Sequence, residues 1–460
     1  MRQYFDLLKR NRDIRFIWFG EVVSLVGDWF SQVVLLALVV SRSPGREGFA
    51  ISTLILARFV PPLILSPMAG VLLDRFNRQQ ILIWSNFLRA GVGVLYLIAV
   101  SDPALLWLIY VGVILQAVLG TVYMPGQSAL VASVVRHDEL VTANTLSNAT
   151  WSAALAAGGA LGGFVAATLG STTALVFDVL TFVVAGFFLT QVRGYKYVSE
   201  TQKRRESEQA AGWAVPQEGQ PLAAISREVV AESLETAAAA DNVPETTLSD
   251  GLRYVRGHRP TLFTMFVKFG GSLGNVDSIM TILATQIFVM GVDGQLSLGI
   301  VYSAFGVGAI AGPMLANALN DGSGRSLRRW IMAGFVAQVI GWMILGWAST
   351  LILVCMGLVL RGMGGSVNWT YSSVLLQRTT PDQYRGRVFA LDMTLFNLAT
   401  AFATIVHGAL IDALGPANVE VVAFGTAALS VLPLIGWIWA QRKWQPEPLG
   451  LQRAEHVADA

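Results

Sequence analysis

Charge is scarce in this sequence. Of its 460 residues only 13% are Asp, Glu, Lys or Arg, while 54% are apolar and the mean hydropathy is +0.56. A soluble domain carries roughly 25% charged residues, so a water-exposed globule of this length is excluded. Cysteine is nearly absent: Cys355 stands alone. It rules out an intramolecular disulfide and a cysteine-based metal site, and inside its apolar run it reads as a small packed residue. Histidine is rare too, with four copies. No HExxH zinc helix and no phosphate-binding GxxxxGK loop occurs, so neither a metal nor a cofactor is implied, and an integral-membrane enzyme is disfavoured. Nothing points to a nucleic-acid partner. The basic start, Met1-Arg-Gln-Tyr, with Lys9, Arg10 and Arg12, leads into an apolar span too long for a cleaved signal, so an uncleaved helix is expected.

What the chain does have is long apolar runs. A bilayer core of about 30 Å needs roughly 20 apolar residues per helix. Lipid gives the backbone no partners, so only helices or a closed barrel can cross. The runs here are continuous rather than alternating, which selects helices. Twelve are expected, near 14–40, 51–73, 79–101, 104–125, 142–169, 172–192, 261–290, 295–319, 329–349, 351–374, 387–413 and 418–440. The outer loops of that arrangement hold only Arg42 and Arg46 out of 32 Lys and Arg, and Arg58, Arg89, Lys268 and Arg361 lie within spans. The rest fall on one side, which by the positive-inside rule makes both termini cytoplasmic. The fold class is therefore all-α integral membrane, with six spans on either side of a polar linker.

The expected divisions are an amino-terminal half over 1–192, a flexible cytoplasmic linker over 193–259, a carboxy-terminal half over 260–440 and a cytoplasmic tail over 441–460. The linker is rich in Glu, Ala, Ser, Gln and Thr and lacks the apolar residues for a core. The halves resemble each other. Ala129–Asp138 aligns without a gap on Ser373–Asp382, and Phe16…Ser24 on Phe263…Ser272 within one residue of register. Such self-similarity points to a repeat architecture, and two parallel six-helix halves with a site between them are a known transporter plan.

Between the second and third spans stands Gly70-Val-Leu-Leu-Asp74-Arg75-Phe-Asn-Arg78. In that place it resembles the loop signature of the major facilitator superfamily of secondary transporters. Further residues resemble that family's bacterial enterobactin-exporter and macrolide-efflux subgroup: Leu25-Val-Gly-Asp28, Arg58-Phe-Val-Pro61-Pro62, Pro67-Met-Ala-Gly70, Pro125, Ala143-Asn144, and Leu375-Leu-Gln377 with Arg385-Gly-Arg387. The resemblance implies a transporter in the cytoplasmic membrane of a bacterium, acting as a monomer. Two departures are visible. The second-half counterpart of the loop, Gly312–Asn317, lacks the Asp-Arg pair. The span-five motif, Gly158-Gly159-Ala-Leu-Gly162-Gly163, lacks the proline of the family's antiporter signature, while its glycines still permit close helix approach.

The candidate site residues follow from charge and spacing. Gly70, Asp74, Arg75 and Arg78 suit a gating loop, or serve topology alone. Glu21, Ser24, Asp28 and Gln32 share one face of span one, and lipid would penalise that face, so it looks into the bundle. Asp28, with Glu21, is a candidate for proton coupling or the substrate path. Arg58 requires a partner, with Asp28 first in line and Glu21 second. Lys268, Asp277 and Arg361 could line the cavity, because the resemblance places spans one, four, seven and ten there; their helical faces differ, so not all can do so, and Arg58, Asp277 and Arg361 join Asp28 and Glu21 as candidates for proton coupling or the substrate pathway. Arg89 and Asp392 read as structural, Asp178 as an anchor of span six through internal hydrogen bonds, and His407 as hydrogen-bonded packing. Gln116, Tyr123, Asn144, Asn148 and Asn368 could line a cavity suited to amphipathic organic solutes. The function expected is proton-coupled efflux of amphipathic small molecules, drug- or siderophore-like, by alternating access. An importer or lipid flippase of the same fold, and a non-transporting membrane sensor or scaffold, remain as alternatives.

Overall fold

A backbone surrounded by lipid has to satisfy its own hydrogen bonds, and the chain does so with helices throughout. The computed structural model describes residues 2–136, 139–193, 248–274 and 276–443, and no strand occurs among them. Most of the 193–259 linker and the tail beyond 443 lie outside the described residues. A short helix α1 (Arg2–Arg10) precedes six long ones: α2 (Arg12–Ser41), α3 (Glu47–Arg75), α4 (Arg78–Ser101), α5 (Trp107–Val134), α6 (Leu140–Leu169) and α7 (Ser171–Thr190). The second group is α8 (Leu248–Gly257), α9 (Arg259–Ser272), α10 (Val276–Ile282), α11 (Gln295–Leu319), α12 (Gly324–Gly346), α13 (Leu351–Thr379), α14 (Asp382–Leu414) and α15 (Val419–Lys443).

Among the described residues, eleven helices are long and apolar enough to span a membrane. The twelfth crossing, expected as one helix over 261–290, is instead broken into α9, α10 and a π turn at Leu283–Ile287. Gly270, Gly271 and Gly274 cluster at the break, where glycine weakens a helix. Gly274 also sits where only glycine fits, since a Cβ there would meet Trp342 Nε1 at 2.8 Å.

The two groups repeat one neighbour order. In the first, α3 packs on α5, α5 on α4, α4 on α7, α7 on α2 and α2 on α6. In the second, α11 packs on α13, α13 on α12, α12 on α15, α15 on α9 and α9 on α14. The halves meet along α3 with α14 and α6 with α11. At the inner end, the end that carries α1 and the close of α15, Glu139 accepts from Arg10 at 3.0 Å and Arg136 at 2.8 Å. Hydrogen bonding from Arg136 holds the Glu139 carboxyl below its usual range.

The contacts between halves are concentrated at the opposite, outer end. Asp412 at the end of α14 accepts from the free backbone N–H groups of Gly48 (2.7 Å) and Phe49 (2.9 Å) at the start of α3. Ser52 donates to Thr404 O at 2.8 Å, and Gln295 to Ser171 at 2.7 Å. Burial falls along α3 in step. Glu47–Ile55 is mostly buried, whereas Val60, Ile64, Met68, Val71 and Leu72 are exposed. Along α11 the same gradient ends at exposed Met314, Leu315 and Leu319. Among the described residues, the bundle is closed at its outer end, and the inner stretches of α3 and α11 are the exposed ones.

The outer seal depends on glycine. A Cβ on Gly408 would meet Ser52 Oγ and, at 2.6 Å, Gly48 O. Gly408→Trp should overpack the sealed form by about 1–3 kcal/mol. In a Cys355→Ser background, labelling of Ser303→Cys by an external thiol reagent should then rise roughly tenfold. Unchanged labelling would show that the α3–α14 contact does not seal the molecule.

Candidate functional site

The polar residues of α2 fan out toward different helices. Asp28 receives Arg89 Nη2 of α4 at 2.9 and 3.3 Å on its two oxygens. Arg89 is positioned from behind: its Nε donates to Gln116 Oε1 of α5 at 2.8 Å, and Gln116 Nε2 donates to Arg89 O at 2.9 Å. The guanidinium lies 4.2 Å from the Phe182 ring centroid and 5.8 Å from that of Tyr123, so two aromatic faces help hold a charge lipid would reject. The pair is lopsided in access. The Arg89 side chain is 10% exposed and that of Asp28 35%. The carboxylate is the more accessible of the two, while its partner is fixed in the bundle.

Arg58 does not reach Asp28, as depth along the spans suggests it would. It donates to Gln32 Oε1, one turn further along α2. Depth can be read from position in a span, but the direction a face takes around the helix depends on packing. Gln32 in turn donates to Tyr302 Oη of α11 at 3.3 Å, and Tyr302 donates to Asp277 Oδ1 of α10 at 3.0 Å. A polar chain Arg58–Gln32–Tyr302–Asp277 thus crosses from one half to the other, with its middle link at the interface. Tyr302 also packs 5.3 Å from Trp29.

Asp178 of α7 lies directly behind this face, where a Cβ on Gly27 would stand 3.0 Å from its Oδ1. Its carboxylate is buried with the Ser31 hydroxyl of α2 beside it. Glu21 accepts from Ser147 of α6 at 2.9 Å.

In the second half, Lys268 and Asp392 form a fully buried ion pair at 2.6 Å. The ammonium also sits 4.7 Å from the Trp369 ring centroid. Lys268 therefore faces α14 rather than a cavity. Arg361 is buried too. Its Nη2 donates to Gly271 O (3.0 Å) and Gly274 O (3.3 Å), carbonyls at the break in span seven. The cavity-lining role expected of Arg361 gives way to capping that break. Asn368 likewise turns away, buried against the Gly334 backbone of α12, and Tyr123 is buried beside Arg89. His407 hydrogen-bonds to Ala403 O (2.7 Å) and Thr426 Oγ1 (2.8 Å).

The span-five glycines divide by face. Gly158 and Gly162 meet Trp29 and Phe30 of α2, while Gly159 and Gly163 meet Tyr302 and Gly299 of α11. The expected 70–78 loop is mostly helical: α3 runs on through Arg75 and α4 begins at Arg78; a Cβ on Gly70 would meet nothing within 4 Å, Arg75 is exposed, and Arg78 donates to Leu73 O at 3.3 Å. The side chains of Asp74, Asn144 and Asn148 lie outside the described residues.

The family model described as Major Facilitator Superfamily matches residues 17–326 and 290–458. The chain belongs to that superfamily. As a member of it, the protein is an MFS transporter and a multi-pass membrane protein. It is 27% identical over 433 residues to an uncharacterised MFS-type transporter of Mycobacterium tuberculosis, covering 88% of this chain and 86% of that one. Two exporters match over a shorter stretch. A putative bacilysin exporter of Bacillus subtilis is 25% identical over 39% of this chain and 44% of its own length. Macrolide efflux protein A of Streptococcus pyogenes is 22% identical over 38% and 44%. Among solved structures, the POT family transporter PepTSo superposes with a TM-score of 0.67 at 13% identity, covering 94% of this chain and 98% of that one. A bacterial homologue of the iron transporter ferroportin, in an inward-facing state, gives 0.61 at 16% identity, covering 93% and 98%. These two establish the fold alone.

Proposed function

We propose that this MFS transporter is a proton-coupled exporter of amphipathic small molecules, working by alternating access through the Asp28–Arg89 centre. The observation that carries the reading is the lopsided pair: a more accessible carboxylate in mid-membrane bound to an immobilised arginine. An ionised Asp28 ties α2 to α4. A proton on Asp28 removes the charge that Arg89 attracts, while Gln116 and the Phe182 face still hold Arg89 in place. The released α2 also carries Gln32, one turn away, and with it the cross-half link to Tyr302. Protonation then acts one turn from a cross-half link that is present in this outer-closed state. The export direction rests on the bacilysin and macrolide relatives, and the cytoplasmic placement of the inner end on its basic residues. In this reading the 70–78 segment, at the junction of α3 and α4, closes the inner end in the opposite state. The chain acts as a monomer in the cytoplasmic membrane of a bacterium and does no covalent chemistry.

Inverted membrane vesicles loaded by a proton gradient test this, with a panel of fluorescent amphipathic dyes that includes ethidium. Accumulation should appear on energising and vanish when the gradient is collapsed. Dye movement indifferent to the gradient would exclude proton coupling. Scrambling of labelled phospholipid in place of dye uptake would favour a flippase.

A further inference from the structure

On the membrane-facing side of the second half, a furrow of about 340 Å³ runs between α9 and α15. It is lined by apolar and aromatic side chains, among them Phe263, Phe266, Leu432, Trp437 and Trp439, with Phe335 of α12 at its base. None of its walls comes from the first half, so it is separate from the space between the halves. Its shape has a local cause. Gly270 and Pro433 bring α9 and α15 into tight contact, and Gly436, one turn further along α15, leaves open space where a side chain would otherwise stand. Proline inside α15 adds a missing backbone donor at the same level.

The mouth of the furrow is at the inner end. Phe263 and Trp439 meet there edge-on, 5.7 Å apart. Because α9 runs away from that end and α15 toward it, Arg259 lies one turn inward of Phe263, and Arg442 about one turn inward of Trp439. Both arginines are exposed. Trp437 Nε1 donates to Arg328 O at 3.1 Å, which brings the basic start of α12, with exposed Arg325 and Arg329, to the same rim. An apolar slot that opens to lipid, ends in interfacial tryptophans and is rimmed by cations matches one kind of molecule: an acyl chain continuous with an anionic headgroup.

We propose that this furrow binds an anionic phospholipid of the inner leaflet, one acyl chain lying between α9 and α15 and the phosphate held by Arg259 and Arg442. The furrow extends to Leu273, where span seven breaks, so the bound chain would bear on that hinge.

The test is native mass spectrometry of the purified full chain, titrated with phosphatidylglycerol and phosphatidylcholine of matched chains. The wild type should retain phosphatidylglycerol preferentially. Arg259→Ala/Arg442→Ala should weaken that retention about tenfold or more, at roughly 1 kcal/mol per basic residue near an anionic surface. Gly436→Phe should lose it by filling the slot, and Gly436→Ala should keep it. Thermal unfolding of each variant separates lost binding from lost folding. Equal retention of the two lipids would reduce the furrow to an ordinary bilayer contact and overturn the proposal. So would a folded Gly436→Phe that retains phosphatidylglycerol as the wild type does. Neither readout depends on transport, so the proposal and the export reading fail separately.

Discussion

Asp28→Asn should abolish gradient-driven accumulation while leaving the protein folded. Asparagine keeps the size and hydrogen-bonding capacity of the side chain but cannot change charge. Arg89 loses its counter-ion yet keeps Gln116 and two aromatic faces. Removing one partner of a fully buried pair costs about 3–5 kcal/mol. Here the side chain removed is 35% exposed, so the loss should be nearer 1–2 kcal/mol, between the buried and surface limits. The transport effect is larger. One proton exchanged for one neutral solute supplies about 2.3 kcal/mol per 100 mV, enough for roughly fifty-fold accumulation. The variant should fall to no accumulation at all. It should still equilibrate solute down its own gradient, because the binding surface and the gates are intact. Initial rates with and without a proton gradient measure the split. Retained uphill transport would move coupling to another carboxylate, Glu21 or Asp277.

The second large effect is expected on stability. Lys268 and Asp392 are each 1% exposed, and the second carboxylate oxygen of Asp392 is buried without a hydrogen bond. Lys268→Met leaves that carboxylate uncompensated and should cost about 3–5 kcal/mol. Lys268→Met/Asp392→Leu should recover most of the loss, because apolar replacement of a buried pair is often neutral or better. Thermal unfolding of the two single variants and the double variant in one detergent closes the cycle. A single-variant cost below about 1 kcal/mol would show that water reaches the pair. This pair and the Glu21–Ser147 contact sit at corresponding places, joining spans one and five in one half and seven and eleven in the other. The register that aligns Phe16 with Phe263 puts Glu21 on Lys268, and the one that aligns Ala129 with Ser373 puts Ser147 within one residue of Asp392. The repeat has kept the junction and changed its chemistry.

The long apolar runs, the basic inner loops and the 70–78 signature gave away the fold, because each is a property of contiguous residues. Pairing was harder to read. Asp28 and Arg58 lie at similar depth, and nothing in the chain says that Asp28 turns toward α4 while Gln32, one turn on, takes Arg58. Arg89, which reads as structural from the sequence, is the partner of Asp28. Its place in the middle of α4 was a signal that it could serve Asp28. The break in span seven also had a signal, in Gly270, Gly271 and Gly274. A continuous hydropathy profile hides it, and with it the reason for Arg361, whose partners are backbone carbonyls that no side-chain pattern reveals. Asn368 and Asp178 show the same limit. A polar residue within a span declares that it avoids lipid, but not whether it meets a cavity or another helix.

The most direct test of the central claim is the internal pH of proteoliposomes holding only the purified chain, recorded with a trapped dye while ethidium moves across the membrane. Coupling through Asp28 predicts proton flux opposite to the flux of ethidium, in fixed proportion, and absent from Asp28→Asn. Ethidium movement with no proton flux, at equal rates in the wild type and the variant, would contradict it.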